Sequence, residues 1–121
     1  MNKEQDKERV SKYFKPQEFG CKHCGHYILN EELLTVLDDV REHFGVPTVI
    51  TSGTRCTAHN KAVGGAVRSQ HLYGTAADIK VQGVSPSVVH KYLVDKYPDK
   101  YGIGKYNTFT HVDVRNYKAR W

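Results

Sequence analysis

Apolar residues recur at helical spacing in two long stretches of the chain and in one short stretch. In NEELLTVLDDVREHFG the pattern predicts a helix that is capped by Asn30 and ended by Gly45. SPSVVHKYLVDKY predicts another helix, with Ser85 as its cap and Pro86 at its first position. TAHNKAVGGA predicts a short helix that ends at two glycines. The core face of the first helix is predicted to consist of Leu33, Leu34, Leu37, Val40 and Phe44.

Shorter runs with β-branched or alternating residues predict strands. PTVITSG is expected to be a short buried strand, and AADIKV should place Ile79 on one face and Asp78 on the other. YGIGKY and FTHVDVRNY predict two strands that are joined by a tight turn around Asn107. Together the elements predict an α+β fold with a small, mainly antiparallel sheet flanked by helices.

The length of 121 residues is typical of one domain. We expect residues 1–12 to form a flexible charged N-terminal arm and residues 13–121 to form a single domain. No apolar run approaches the ~20 residues of a membrane span, and the charged start lacks the apolar segment of a signal peptide. The expectation is therefore a monomeric protein without membrane insertion. Its net charge of +5 favours a polyanionic partner, such as nucleic acid or the anionic polymers of a cell wall.

The three cysteines have two interpretations. Cys21 and Cys24 form a CxxC pair in GCKHCGH, and Cys56 lies far along the chain. An odd number of cysteines argues against a disulfide framework. Half of a zinc ribbon would need His23, His26 or Cys56 to complete its ligands. The alternative is that the cysteines are ordinary reduced thiols.

A candidate metal site follows from SQHLYGTAADI, residues 69–79. A core strand does not need His71, and a helix would not choose Gly74; this glycine would let the loop fold back so that His71 and Asp78 converge. A third ligand is available in THVDVR, where period-2 geometry places His111, Asp113 and Arg115 on one face. Catalytic zinc commonly takes three such ligands and leaves one position for water.

SGTRCTAHNKAVGGAVRSQHLYGTAADI, followed by GIGKYNTFTHVDVR, resembles the zinc D-alanyl-D-alanine carboxypeptidase family. The likeness spans roughly residues 13 to 121 and is greatest to the short phage-type branch, whose members cleave peptidoglycan peptides. The S-x-H-x(6)-D and H-x-D elements have the order and spacing of that family. The resemblance implies a hedgehog-like, DD-peptidase-like fold and a Zn²⁺ cofactor.

The resemblance also implies roles for individual residues. His71, Asp78 and His111 would be the zinc ligands, and Arg55 and Ser69 would bind the substrate. Many family members carry a general base three residues before the last histidine, where this chain has Thr108. Asp113 is the expected replacement as catalytic base; its alternative role is to orient a metal-bound histidine.

The predicted function is therefore zinc-dependent hydrolysis of peptide bonds in bacterial peptidoglycan stems, as in a phage or prophage endolysin. The resemblance leaves open whether the bond is L-Ala–D-Glu or D-Ala–D-Ala. We expect such an enzyme to stay in the bacterial host cytoplasm until its release to the cell wall.

Two alternative functions remain: a non-catalytic cell-wall binding module on the same fold and a zinc-ribbon nucleic-acid binder. The first predicts a missing zinc ligand, but all three candidate ligands are present. The second would need strands in which aromatic and basic residues alternate, which the chain does not clearly show, so we expect no nucleic-acid partner.

Overall fold

A computed structural model describes residues 13–65 and 69–121. The predicted arm at residues 1–12 therefore lies outside the described residues. Among the helices in these two ranges, none is long and apolar enough to cross a membrane.

In the part of the chain that the structure describes, three α-helices form where the apolar spacing predicts them. They are α1 (Glu31–Phe44), α2 (Thr57–Ala62) and α3 (Pro86–Lys96). The side chain of Asn30 accepts a hydrogen bond from the backbone N–H of Leu33, which satisfies one of the unpaired donors at the start of α1. Helix α1 ends at Gly45 in the left-handed conformation, and Ser85 caps α3 in the same way that Asn30 caps α1.

Within the described residues, five strands form one sheet in the order β1-β2-β4-β3-β5. Neighbouring strands are antiparallel except for β3 and β5, which are parallel. The strands are β1 (Thr48–Ser52), β2 (Ala76–Val81), β3 (Gly102–Lys105), β4 (Thr110–Asp113) and β5 (Ala119–Arg120). The predicted α+β class and its mainly antiparallel sheet are confirmed.

The apolar face of the sheet shares one core with the helices. Ile79 of β2 and Val112 of β4 are at most 1 % exposed and pack in a cluster with Leu37 of α1 and Leu93 of α3. Because side chains alternate along a strand, the neighbours of Ile79 and Val112 point to the opposite face. Two of the candidate metal ligands, Asp78 and His111, lie on that opposite face.

Four features differ from the sequence-based predictions. Strand β1 lies at the edge of the sheet and is only partly buried: Ile50 packs in the core, whereas Val49, which points to the opposite face, is 55 % exposed. The SQHLY segment forms a 3-10 helix, Gln70–Tyr73, which ends at Gly74 in the left-handed conformation. A further 3-10 helix, Pro16–Phe19, and the two-residue strand β5 were not predicted. Such short elements lack the length over which a hydrophobic period can be recognised.

Candidate metal centre

Sheet register brings two of the candidate ligands together. Asp78 of β2 is paired directly with His111 of β4, so their side chains emerge side by side on the same face of the sheet. The third candidate, His71, lies in the 3-10 helix that precedes β2. Gly74 has φ +70° and lies so close to Ile28 that a Cβ would approach the Ile28 side chain to 2.5 Å. This close turn returns the chain from His71 to Asp78, as the sequence predicts.

The three side chains form one buried cluster. His71 Nε2 lies 3.3 Å from Oδ2 of Asp78, and His111 Nδ1 lies 2.8 Å from Oδ1 of the same carboxylate. One ligand atom from each residue lies within 4.8 Å of the other two, and all three residues are buried. The structure therefore brings the predicted ligand set together, with two imidazoles on either side of one carboxylate.

Each imidazole has a partner that fixes which nitrogen faces the carboxylate. Nδ1 of His71 lies 2.7 Å from the carbonyl oxygen of Gly53, to which it can donate. Nε2 of His111 lies 2.8 Å from Oδ2 of Asp113. These partners leave Nε2 of His71 and Nδ1 of His111 facing Asp78, to which they can donate; on losing that proton, each nitrogen would offer its lone pair to a metal ion. Two imidazole nitrogens and a carboxylate suit zinc, and partners behind metal-bound histidines are a common feature of zinc sites.

The charge distribution at the centre is that of a cation site. Burial disfavours ionisation of Asp78, but hydrogen bonds from His111 and His71 lower its pKa to about 2. Burial also lowers the pKa of His111, but its hydrogen bonds to Asp113 and Asp78 raise it overall. The cluster thus holds an ionised carboxylate that attracts positive charge.

Asp113 lies behind His111 and away from solvent. Its side chain is fully buried, and Arg115 donates two hydrogen bonds to its carboxylate, from Nε and from Nη2, both at 2.7 Å. The backbone N–H of Gly102 donates to the same carboxylate at 3.2 Å. Burial would raise the pKa of Asp113, but the hydrogen bonds from His111 and Arg115 lower it well below its usual range. The predicted polar face of THVDVR is therefore one connected chain from His111 through Asp113 to Arg115.

The two predicted substrate residues line the pocket in front of the ligands. Nη2 of Arg55 lies 3.4 Å from Oδ2 of Asp78, and its other nitrogens donate to Ser52 and Asn60. Ser69 uses its hydroxyl oxygen to accept the backbone N–H of His71, which caps the 3-10 helix. Arg55 is thus oriented toward the ligands, and Ser69 holds the segment that carries one of them.

An aromatic wall in the pocket was not predicted from the sequence. The pocket measures about 520 Å³, within the usual range for ligand sites. Tyr106, Phe109 and Trp121 line one side of it, and the Trp121 ring lies 5.1 Å from the ring of His111. Trp121 donates through Nε1 to the hydroxyl of Tyr106. In the sequence, the signal for this wall was the presence of Tyr106 and Phe109 just outside strands β3 and β4. Trp121 reaches the pocket only because β5 pairs with β3.

Comparison with known families agrees with this geometry. The family model for Peptidase M15 matches residues 5–113, which is most of the chain. Comparison with curated proteins gives no significant match. The matched segment includes the buried cluster of two histidines and one aspartate, which fits zinc by the chemistry of its donors. The chain therefore belongs to the Peptidase M15 family, and this membership indicates a zinc metallopeptidase.

Proposed function

We propose that this protein hydrolyses peptide bonds in the stems of bacterial peptidoglycan with one catalytic zinc ion. The observation that carries the proposal is the cluster of His71, Asp78 and His111, in which one nitrogen of each imidazole is oriented toward the same carboxylate. These three residues would hold the ion. When bound, zinc lowers the pKa of a water molecule and polarises the carbonyl that the water attacks.

Arg55 is the residue best placed to recognise the substrate. Its guanidinium lines the pocket beside Asp78, and its side chain is 15 % exposed. A planar guanidinium can bind a carboxylate or stabilise negative charge that develops on a carbonyl oxygen. Peptidoglycan stems carry free carboxylates next to their peptide bonds, so their chemistry matches this pocket. The net charge of +5 also favours association with an anionic wall.

The aromatic wall supplies the apolar part of the pocket. Tyr106 and Phe109 stack with their ring centroids 4.5 Å apart, and Trp121 is 45 % exposed beside them. Flat aromatic surfaces can pack against the small methyl side chains and backbone of a peptide stem. The wall would therefore position the stem, while Arg55 binds its charged group.

For Asp113, the surroundings favour orientation of His111 over proton transfer. Its carboxylate is fully buried, does not line the pocket, and already accepts hydrogen bonds from three residues. A general base must reach the proton that it accepts, directly or through one water. We therefore assign Asp113 the role of fixing the tautomer of His111, and the role of general base stays a prediction.

The biological setting that we propose is that of a phage or prophage endolysin. The enzyme would remain in the cytoplasm of the bacterial host until a separate pore lets it reach the wall. Its action there would be on either the L-Ala–D-Glu or the D-Ala–D-Ala bond, and it would act as a monomer.

Digestion of purified peptidoglycan, followed by mass spectrometry of the fragments, tests the function and identifies the bond. The wild-type enzyme with zinc should release stem peptides, whereas His71→Ala and His111→Ala should lose the catalytic zinc and activity together. His90→Ala is a matched control, because His90 lies on α3 away from the pocket. A wild-type protein that binds the wall and zinc but releases no peptide would instead support the binding-module alternative.

A further inference from the structure

Three cysteines from two distant parts of the sequence meet in the structure. The sulfur atoms of Cys21, Cys24 and Cys56 all lie within 4.8 Å of one another. None is in a disulfide, and their exposure increases from buried Cys21 through Cys56 to exposed Cys24. The cluster lies outside the pocket, and the catalytic proposal does not use it.

The backbone around the CxxC pair is folded into a tight turn. The backbone N–H of Gly25 donates to the carbonyl of Cys21 at 2.8 Å, and the N–H of Cys21 donates to the carbonyl of His26 at 2.7 Å. Gly25 has φ +78°, a conformation that favours glycine. This turn places both sulfurs of the pair on the side that faces Cys56.

Backbone donors already point at two of the sulfurs. The N–H of Cys56 lies 3.3 Å from Sγ of Cys21, and the N–H of His59 lies 3.4 Å from Sγ of Cys56. The second contact caps α2, since Cys56 is the residue at its start. Such donors stabilise negative charge on sulfur, and the thiolate is the form of cysteine that binds metal.

We propose that Cys21, Cys24 and Cys56 bind a second zinc ion in a closed structural site, with His23 as the fourth ligand. Nδ1 of His23 lies 3.3 Å from Sγ of Cys56, and the His23 side chain is exposed. Three cysteines and one histidine are a common ligand set of structural zinc, and a CxxC pair supplies two ligands from one turn.

This second ion would join the N-terminal segment to the loop that supports the catalytic centre. The backbone N–H of Thr54 donates to the carbonyl of Phe19, and the Thr54 hydroxyl accepts the N–H of Ile28. The same loop carries Arg55, whose N–H donates to the carbonyl of His71, and Gly53, whose carbonyl receives His71 Nδ1. A metal at Cys56 would thus stabilise the backbone that orients His71 and Arg55.

Metal analysis of the full chain separates the two sites. We expect about two zinc ions per wild-type molecule and about one in the double variant His71→Ala/His111→Ala. The variant Cys21→Ser/Cys24→Ser should also retain about one ion and should melt at a lower temperature. Cobalt substitution supplies a second measurement, because only thiolate ligands produce sulfur-to-cobalt charge-transfer absorption. That absorption should persist in the double histidine variant and disappear in the double cysteine variant.

Variants of the neighbouring histidines test the fourth ligand. His23→Ala should weaken zinc binding at the cysteine site at least tenfold, whereas His26→Ala, the matched control, should leave it unchanged. Equal binding by both variants would overturn the assignment of His23.

The cysteine site itself has clear contrary outcomes. One zinc ion per wild-type molecule, lost completely on removal of His71 and His111, would show that the cysteines hold no metal. A protein mass lower by two hydrogens, with one thiol left to alkylate, would show a disulfide and also overturn the proposal. Either result would leave the peptidoglycan assay unaffected, so the two proposals can fail separately.

Discussion

Nε2 of His111 lies 2.8 Å from Oδ2 of Asp113, while Nδ1 of the same ring faces Asp78 at 2.8 Å. The imidazole therefore has a separate acidic partner on each side. Because Asp113 is fully buried and gripped by Arg115, it cannot move toward the pocket without breaking several hydrogen bonds. The contact with Asp113 therefore fixes the orientation of the His111 ring independently of metal binding.

Replacement of Asp113 by asparagine should weaken zinc binding at the catalytic site on the order of 10- to 100-fold. Asparagine would remove the ion pair with Arg115 and weaken the hydrogen bond that orients the His111 ring. Competition with a chelator of known affinity measures this loss, and Asp95→Asn, at an exposed carboxylate, is the control. If Asp113→Asn kept normal zinc affinity and lost turnover by about 10²-fold or more, Asp113 would be the general base.

Gly102→Ala should destabilise the protein by about 1–3 kcal/mol and weaken zinc binding. A Cβ at this position would collide with the Asp113 carboxylate and with Nε of Arg115, which are both held in place. Urea unfolding and zinc titration measure the two effects.

Gly104→Ala is the comparison on the same strand. Its Cβ would collide with the ring of Trp121, a side chain that is 45 % exposed and can move. We expect a smaller loss of stability than for Gly102→Ala, together with a higher KM because the aromatic wall shifts. Equal losses of stability would contradict the role given to the buried Asp113–Arg115 pair.

Asn30→Ala should lower the free energy of unfolding by about 1 kcal/mol. The variant removes the side-chain acceptor for the N–H of Leu33 at the start of α1. Because α1 lies away from the pocket, kcat/KM should remain at the wild-type value. Asn30→Asp, which keeps an acceptor, should recover most of the stability; failure to do so would exclude capping as the cause.

Stability should fall as the pH rises from about 10 to about 12, partly because of Tyr101. Burial and the hydrogen bond to Glu32 raise the pKa of Tyr101 to about 12, whereas a tyrosine in the unfolded chain titrates at about 10. The unfolded state therefore releases its proton first, and the stability present below pH 10 is lost through this window. Tyr101→Phe should show a shallower fall in urea unfolding between these pH values. An unchanged slope would show that Tyr101 does not contribute.

The sequence by itself determined the long elements and the identity of the clustered ligands. Helical spacing and caps located α1 and α3, because each has enough turns and a capping side chain at its start. Alternation in THVDVR put His111 and Asp113 on one face, since a strand fixes side-chain direction with period 2.

Only the tertiary structure decided how these pieces meet. Pairing of Asp78 with His111 is a matter of strand register, and the side-chain pattern of one strand does not state which residue lies opposite. The burial of Asp113 depends on Gly102 of a neighbouring strand, and the meeting of Cys56 with Cys21 depends on a loop contact over 35 residues. These relationships arise from packing between distant segments, which local propensity cannot encode.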